Sequence, residues 1–165
     1  MDTYLVRPAT PDDWRHVVDF NIRLALESEH LQLDSGVLTA GVHAALADSV
    51  KARYFLACRG AEVVGQLMHT YEWSDWRNGM IWWLQSVYVV PEHRGRGVFR
   101  ALFEHLNAEA QADPGVVGLR LYVEDENHRA KEVYCRLGLK PGGYSVMEHV
   151  WRNAPTRVAP QSEPE

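Results

Sequence analysis

The chain reads as an α+β protein in which strands and helices interleave, and three stretches carry that reading. Residues 85–90 are β-branched and aromatic, and Pro91 closes the run because proline brings no amide hydrogen to a ladder. A glycine-bearing turn follows, and then Phe99, Leu102, Phe103, Leu106 and Ala110 recur at helical spacing. Residues 116–123 form a second strand-like run that enters a helix at Asn127, and residues 53–90 hold strand-like runs separated by turn signals.

In chain order, residues 4–6 are a short first strand. Thr10-Pro11-Asp12-Asp13 then opens a helix: Thr10 is suited to cap it, Pro11 suits the first turn, and the two acids favour the dipole. Trp14, Val17, Val18, Ile22, Leu24 and Leu26 give it an apolar stripe to about residue 28. A second helix over about residues 35–48 carries Val37, Val42, Leu46 and, just past its end, Val50. Residues 53–58 and 63–73 are strands joined at Arg59-Gly60-Ala61-Glu62, and Asn78-Gly79 is a hairpin signal leading into residues 80–90. If Asn78-Gly79 is a two-residue turn, Glu72 pairs with Gln85, and Gln85 alternates onto the same face as Val87 and Val89. Residues 144–151 read as a last strand. Residues 1–153 are therefore expected as one domain, with the polar, proline-rich residues 154–165 as a disordered tail.

Composition narrows the class. The 165 residues suit one core, and no apolar run approaches the roughly 20 residues of a membrane helix. No signal peptide is visible at the N-terminus. Cys58 and Cys135 make neither a disulfide framework nor a metal cluster, so two reduced thiols in a cytoplasmic protein are expected, with no metal. The formal charge of −5 argues against nucleic acid and suits a cationic acceptor, although solubility alone explains it equally well.

Gly95 and Gly97 allow the backbone before the helix to turn tightly, and the first helical amides point outward with the positive end of the dipole. Such a turn is an anion site suited to a pyrophosphate. It is not a nucleotide P-loop, because no Lys-Ser or Lys-Thr occurs, nor a dinucleotide fingerprint, because Arg100 occupies the third glycine position.

Val89-x-Pro91-x-x-Arg94-x-x-Gly97 resembles the coenzyme A pyrophosphate loop of the GCN5-related N-acetyltransferases, the GNAT superfamily. Asn127-x-x-Ala130-x-x-x-Tyr134-x-x-x-Gly138 resembles a helix of the same family, in the right order after the next strand. The resemblance implies an α/β/α sandwich around a mixed, mostly antiparallel sheet, in the order β-α-α-β-β-β-α-β-α-β. It implies acetyl-CoA as acyl donor, with Val87, Tyr88 and Val89 along the pantetheine. The backbone of Arg94, Gly95, Arg96, Gly97, Val98 and Phe99 would lie around the pyrophosphate, and Asn127 and Tyr134 would complete the site. Phe99 is a departure, since the family usually has glycine or alanine there.

Direct transfer needs a group to protonate the leaving thiolate. Tyr134 is suited to this because a phenol stays protonated at neutral pH, and it lies about two turns after Asn127 on one helix face. A buried core tyrosine is the plainer reading of the same position. No glutamate stands where many relatives place their general base: Trp82-Trp83 and Tyr122 stand there instead. Glu72 is the nearest candidate, as base or as anchor for a cationic substrate, with Trp83, Gln85 and Tyr122 around the acceptor. A water chain to bulk would need no dedicated base. His69 falls on the opposite strand face and reads as structural.

Trp73, Trp76, Trp82 and Trp83 read as core packing or a dimer surface, with an acceptor wall as the sharper alternative, so a homodimer stays open. The expected function is acetylation of a small primary amine. The alternatives are acetylation of a protein or peptide, or a coenzyme A-binding regulatory module without chemistry.

Overall fold

The computed structural model describes residues 3–158. Strand β1 (Leu5–Pro8) leads through a 3-10 turn at Pro11–Asp13 into α1 (Trp14–Glu29). The short strand β2 (Leu31–Gln32) and α2 (Ser35–Ala47) follow. Next come β3 (Arg53–Arg59), β4 (Glu62–Ser74) and β5 (Gly79–Val89). Then come α3 (Val98–Ala112), β6 (Val116–Leu121), α4 (His128–Arg136) and β7 (Thr156–Arg157).

The central sheet has the order β1-β3-β4-β5-β6, antiparallel throughout except for the parallel pair β5–β6. Alternation divides the apolar residues between its faces. Phe55, Leu67, Trp82 and Leu84 face α3, whose Val98, Leu102, Phe103 and Leu106 are buried against them. Tyr54, Leu56 and Met68 face α1 and α2 through Val17 and Val42. Each fully buried leucine, such as Leu102 or Leu106, contributes about 1.5–3 kcal/mol. The predicted α+β class, with a mostly antiparallel sheet between helices, is the observed one.

Thr10 does not cap the first helix with its oxygen. Its hydroxyl donates to Asp13 Oδ2 at 3.0 Å and its amide to the same atom at 2.7 Å. Arg7 closes the group with two 2.8 Å bonds and holds the Asp13 carboxyl well below the usual carboxylate range.

The β4–β5 hairpin departs from expectation. Its loop is residues 75–78, closed by Ser74↔Gly79, so Glu72 lies opposite Ile81 and Gln85 opposite Met68. Asn78 takes the left-handed conformation (φ 48°), while Gly79 sits in the strand because a Cβ there would lie 2.3 Å from Val117 Cγ1. Ser86, also left-handed at φ 48°, marks a bulge: Met68 pairs with Gln85 but Gln66 with Tyr88. The extra residue breaks the expected alternation and puts Tyr88, rather than Val87 and Val89, on the face of Gln85.

Of the indoles, only Trp82 is core, Trp83 is half-buried, and Trp73 and Trp76 are exposed on the hairpin tip. The predicted last strand at residues 144–151 does not form, and the segment is exposed throughout. Within the expected tail, Thr156–Arg157 instead pairs with Leu31–Gln32. Residues 159–165 of that tail lie outside the described residues.

Candidate active site

The central sheet splits along one seam. Pairing between β5 and β6 runs from Met80↔Val116 to Leu84↔Leu121 and stops there. Beyond it, β5 stays on β4 through Tyr88↔Gln66 and Val89↔Gly65 and has no β6 partner. Val90 donates its amide to Val64 O at 3.0 Å, so by alternation the Val89 amide faces the open side. Gln66 fixes the bulge beside this opening: its Nε2 donates to Ser86 O at 3.1 Å and to Asn21 Oδ1 at 2.9 Å. Asn21 in turn donates to Tyr54 Oη at 3.2 Å, which ties α1, β3, β4 and β5 together at the bulge.

At the end of the seam, a 3-10 turn (Pro91–His93) leads through Gly95 (φ 74°) and Gly97 (φ 93°) into α3. The first intrahelical bond runs from Ala101 N to Gly97 O at 3.0 Å, which leaves the amides of Val98, Phe99 and Arg100 without helical acceptors. A Cβ on Gly97 would meet nothing within 4 Å, so glycine is needed there for its positive φ and not for space.

Arg94, expected to add charge to this loop, turns away from it. Its guanidinium pairs with Glu27, donates from Nε to Val89 O at 2.8 Å, and lies 5.4 Å from the Tyr88 ring centroid. Tyr88 donates to Glu27 Oε1 at 2.8 Å, and burial together with that carboxylate pushes its phenol up to about 12. Burial alone would raise Glu27, but Arg94 and Tyr88 outweigh it and hold the carboxyl low.

Asn127 caps α4, its Oδ1 accepting from Ala130 N at 3.0 Å. Two turns later Tyr134 meets Phe99 edge-on at 5.5 Å between centroids, and Phe99 lies 6.1 Å from Phe103. The aromatic departure in the loop therefore packs beneath it and joins α4 to the first turn of α3. Burial raises the Tyr134 phenol above the ordinary tyrosine value.

The acceptor candidates gather on the α1–α2 face of the sheet. Glu72 Oε2 accepts from Trp83 Nε1 at 2.6 Å, and Glu72 Oε1 accepts from Arg120 Nη1 at 2.7 Å. Tyr122 lies against Trp83 at 4.4 Å. Gln85 is one step along the same face, donating to Thr70 Oγ1 at 2.6 Å. Next to it, a cavity of about 360 Å³ opens between α1, α2 and the sheet, reaching Tyr54, Met68 and Ser86. Leu31, Leu38 and Val42 give it apolar walls. Sequence reasoning missed Arg120, although the two-residue period that places Tyr122 on this face also places Arg120 there. It also missed the Asn21–Tyr54–Gln66 chain, which no local pattern announces.

His69 is fully buried on the other face, stacked 4.2 Å from Trp82, and neither ring nitrogen has a well-formed hydrogen bond. Burial, aided by Arg53, lowers it to about 4, so it is a neutral core residue on the sheet face opposite the Glu72 cluster.

The Acetyltransferase (GNAT) family model matches residues 23–139, which spans both motifs and the seam between them. The chain belongs to the GNAT family. Among its relatives, thialysine N-epsilon-acetyltransferase of Bos taurus is 38% identical over 80 residues, 48% of this chain and 46% of that protein. This chain thus spans about half the length of that relative. The Sus scrofa protein of the same name is 29% identical over 152 residues, 85% of this chain and 86% of that one. The crystal structure of a possible acetyltransferase from Clostridium difficile 630 superposes with a TM-score of 0.83 at 43% identity, covering 90% of this chain and 98% of that one.

GNAT acetyltransferases use acetyl-CoA, and the residues present fit it. The open edge of β5 offers Val87 and Val89 as strand-like partners for an extended pantetheine, and Gly95 to Phe99 offer amides for a pyrophosphate. Asn127 retains its side-chain NH₂ for a further bond while its oxygen caps the helix. Among the described residues no group of His, Cys, Asp or Glu is placed to hold a metal ion.

Proposed function

We propose that this GNAT protein transfers an acetyl group from acetyl-CoA directly to a primary amine of a small molecule. The observation that carries the reading is the seam. Beyond Leu84 strand β5 keeps β4 but has no β6 partner, it runs on to the glycine-bearing start of α3, and Phe99 of α3 meets a half-buried tyrosine on α4. The related proteins named for acetylating thialysine at its epsilon nitrogen support a small amine as acceptor.

Bound acetyl-CoA supplies the activated acetyl group, and the chain's residues position and protonate. The Val89 amide and the free amides of α3 are fixed donors that need no reorganisation. Tyr134 keeps its proton at neutral pH, because burial raises its phenol, and is the donor for the departing thiolate. The amine enters from the cavity beside Ser86, where Tyr54, Asn21 and apolar walls fit a short aliphatic body. Both oxygens of Glu72 are already engaged, so we assign it to organising Trp83 and Arg120 in the acceptor wall, with the amine proton leaving through water. The two free cysteines fit a reducing compartment, and we place the protein in the cytoplasm.

Thiol release from acetyl-CoA, measured across amino acids, polyamines, other small amines and short peptides, tests the reading. Turnover with small amines supports it. Peptides outperforming every small amine would make the protein a peptide acetyltransferase, and tight acetyl-CoA binding without turnover would make it a binding module.

A further inference from the structure

Two adjacent residues at the head of the glycine-bearing loop leave it in different directions and meet partners far away in sequence. His93 is buried, and Tyr4 Oη, just before β1, lies 3.2 Å from its Nδ1. Arg94 turns instead to α1, where Glu27 takes its guanidinium. Residues 94–97 are all exposed, and the chain is buried again only at Val98, where α3 begins. A Cβ added at Gly95 or Gly97 would meet nothing within 4 Å, so close packing at the glycines does not hold this stretch. Its direction therefore depends on hydrogen-bonded side chains such as Arg94.

Glu27 is the centre of that anchorage. Its Oε1 accepts from Tyr88 at 2.8 Å and its Oε2 accepts from Arg94 Nη2, while Arg23 Nε stands 3.9 Å from Oε1. Arg94 and Arg23 both lie over the Tyr88 ring, 5.4 Å and 5.1 Å from its centroid. Without the carboxylate, two guanidinium cations would share one ring with no anion between them. Arg94 Nε donates to Val89 O at 2.8 Å, on the same open side of β5 as the Val89 amide. One arginine therefore joins the end of the open β5 edge, helix α1 and the start of the loop. Helix α1 is a firm support, because its Val17, Phe20, Asn21 and Ala25 are buried.

We propose that Glu27 is a positioning residue for acetyl-CoA: acting through Arg94 and Tyr88, it fixes the direction of the loop, so that the amides of Val98, Phe99 and Arg100 meet the pyrophosphate already aligned. The Arg94 side chain is then an internal brace and not a phosphate ligand. An ion pair with both side chains partly exposed adds little to global stability, so its effect falls on the loop and not on the fold. The proposal rests on this loop holding the pyrophosphate, and it is independent of which amine is acetylated.

The test is calorimetric titration of CoA into the native protein, Glu27→Gln, Arg94→Met and the double variant, with urea denaturation of each beside it. Native binding reports on the loop assignment, and the variants report on Glu27. The expected Kd rises about fivefold in Glu27→Gln, by a similar factor in Arg94→Met, and no further in the double variant, because each substitution removes the same brace. Urea midpoints should stay at the native value. Tyr88→Phe, which loses only its donation to Glu27, should weaken CoA in the same direction by a smaller factor. Unchanged affinity in Glu27→Gln would overturn the proposal, as would losses that multiply in the double variant or that follow the urea midpoint. Tighter CoA binding by Glu27→Gln would also overturn it, because the released Arg94 would then be a phosphate ligand. A native protein that does not bind CoA would overturn it together with the loop assignment.

Discussion

Arg120 Nη1 on β6 lies 2.7 Å from Glu72 Oε1 on β4, a bridge that passes over the intervening strand β5. The indole of Trp83 fills the span beneath it and donates to the other Glu72 oxygen at 2.6 Å. Both oxygens of the carboxylate that is the candidate base thus accept hydrogen bonds from neighbouring side chains.

Glu72→Gln should therefore change binding more than chemistry. On the wall role proposed for Glu72, the Michaelis constant for the amine should rise while kcat stays within about tenfold, whereas losing a general base costs roughly 10²–10⁴. The pH profile of kcat should keep its shape. A loss of about 100-fold in kcat, together with a lost acidic limb, would instead assign Glu72 as the base.

Tyr134→Phe keeps the ring that Phe99 packs against and removes only the hydroxyl. The expected result is a fall in kcat of about 100-fold or more with acetyl-CoA affinity changed by less than about threefold. Calorimetric titration of acetyl-CoA beside the kinetics separates the two effects.

Gly97→Ala would place a Cβ in open space but force an L residue to φ 93°. The left-handed conformation costs about 1–2 kcal/mol, so urea denaturation should show a stability loss of that order or a rearranged loop. Either result should weaken acetyl-CoA binding, because the α3 amides would lose their fixed direction.

His69 gives a pH signature of stability. Its folded-state pKa of about 4 lies below the ordinary 6.5, so between those values the unfolded chain takes up a proton that the folded chain refuses. Stability should fall as pH drops through that window, by about 3 kcal/mol at most. His69→Phe should flatten the slope and raise stability near pH 7 by about 1 kcal/mol, since the stack on Trp82 is kept and two unpaired nitrogens are removed. Urea denaturation at a series of pH values reads both effects.

The parts of this protein that were legible in its sequence rest on local pattern. The run from Gln85 through Gly97 into the Phe99–Ala110 stripe, and the Asn127–Tyr134 spacing, gave the strand, loop and helices that border the seam. The parts that were not legible depend on distant partners. Nothing around Ser86 signals a left-handed serine, because the bulge is held by Gln66 and, through it, by Asn21 on a helix far away in sequence. Arg94 looks like a phosphate ligand until Glu27, distant in the chain, is found beside it. Asn78-Gly79 was misread as a two-residue turn because glycine there answers the packing of Val117 and not the turn. Residues 144–151 have a strand's composition, but composition does not supply a pairing partner, and the segment joins neither sheet.

The most direct test is mass-spectrometric detection of the acetylated amine, formed from acetyl-CoA by the native protein and by Tyr134→Phe side by side. The predicted result is a small amine heavier by one acetyl group, formed by the native protein and reduced at least tenfold in the variant at unchanged acetyl-CoA affinity. Saturated acetyl-CoA binding with no acetylated amine from either protein would contradict it.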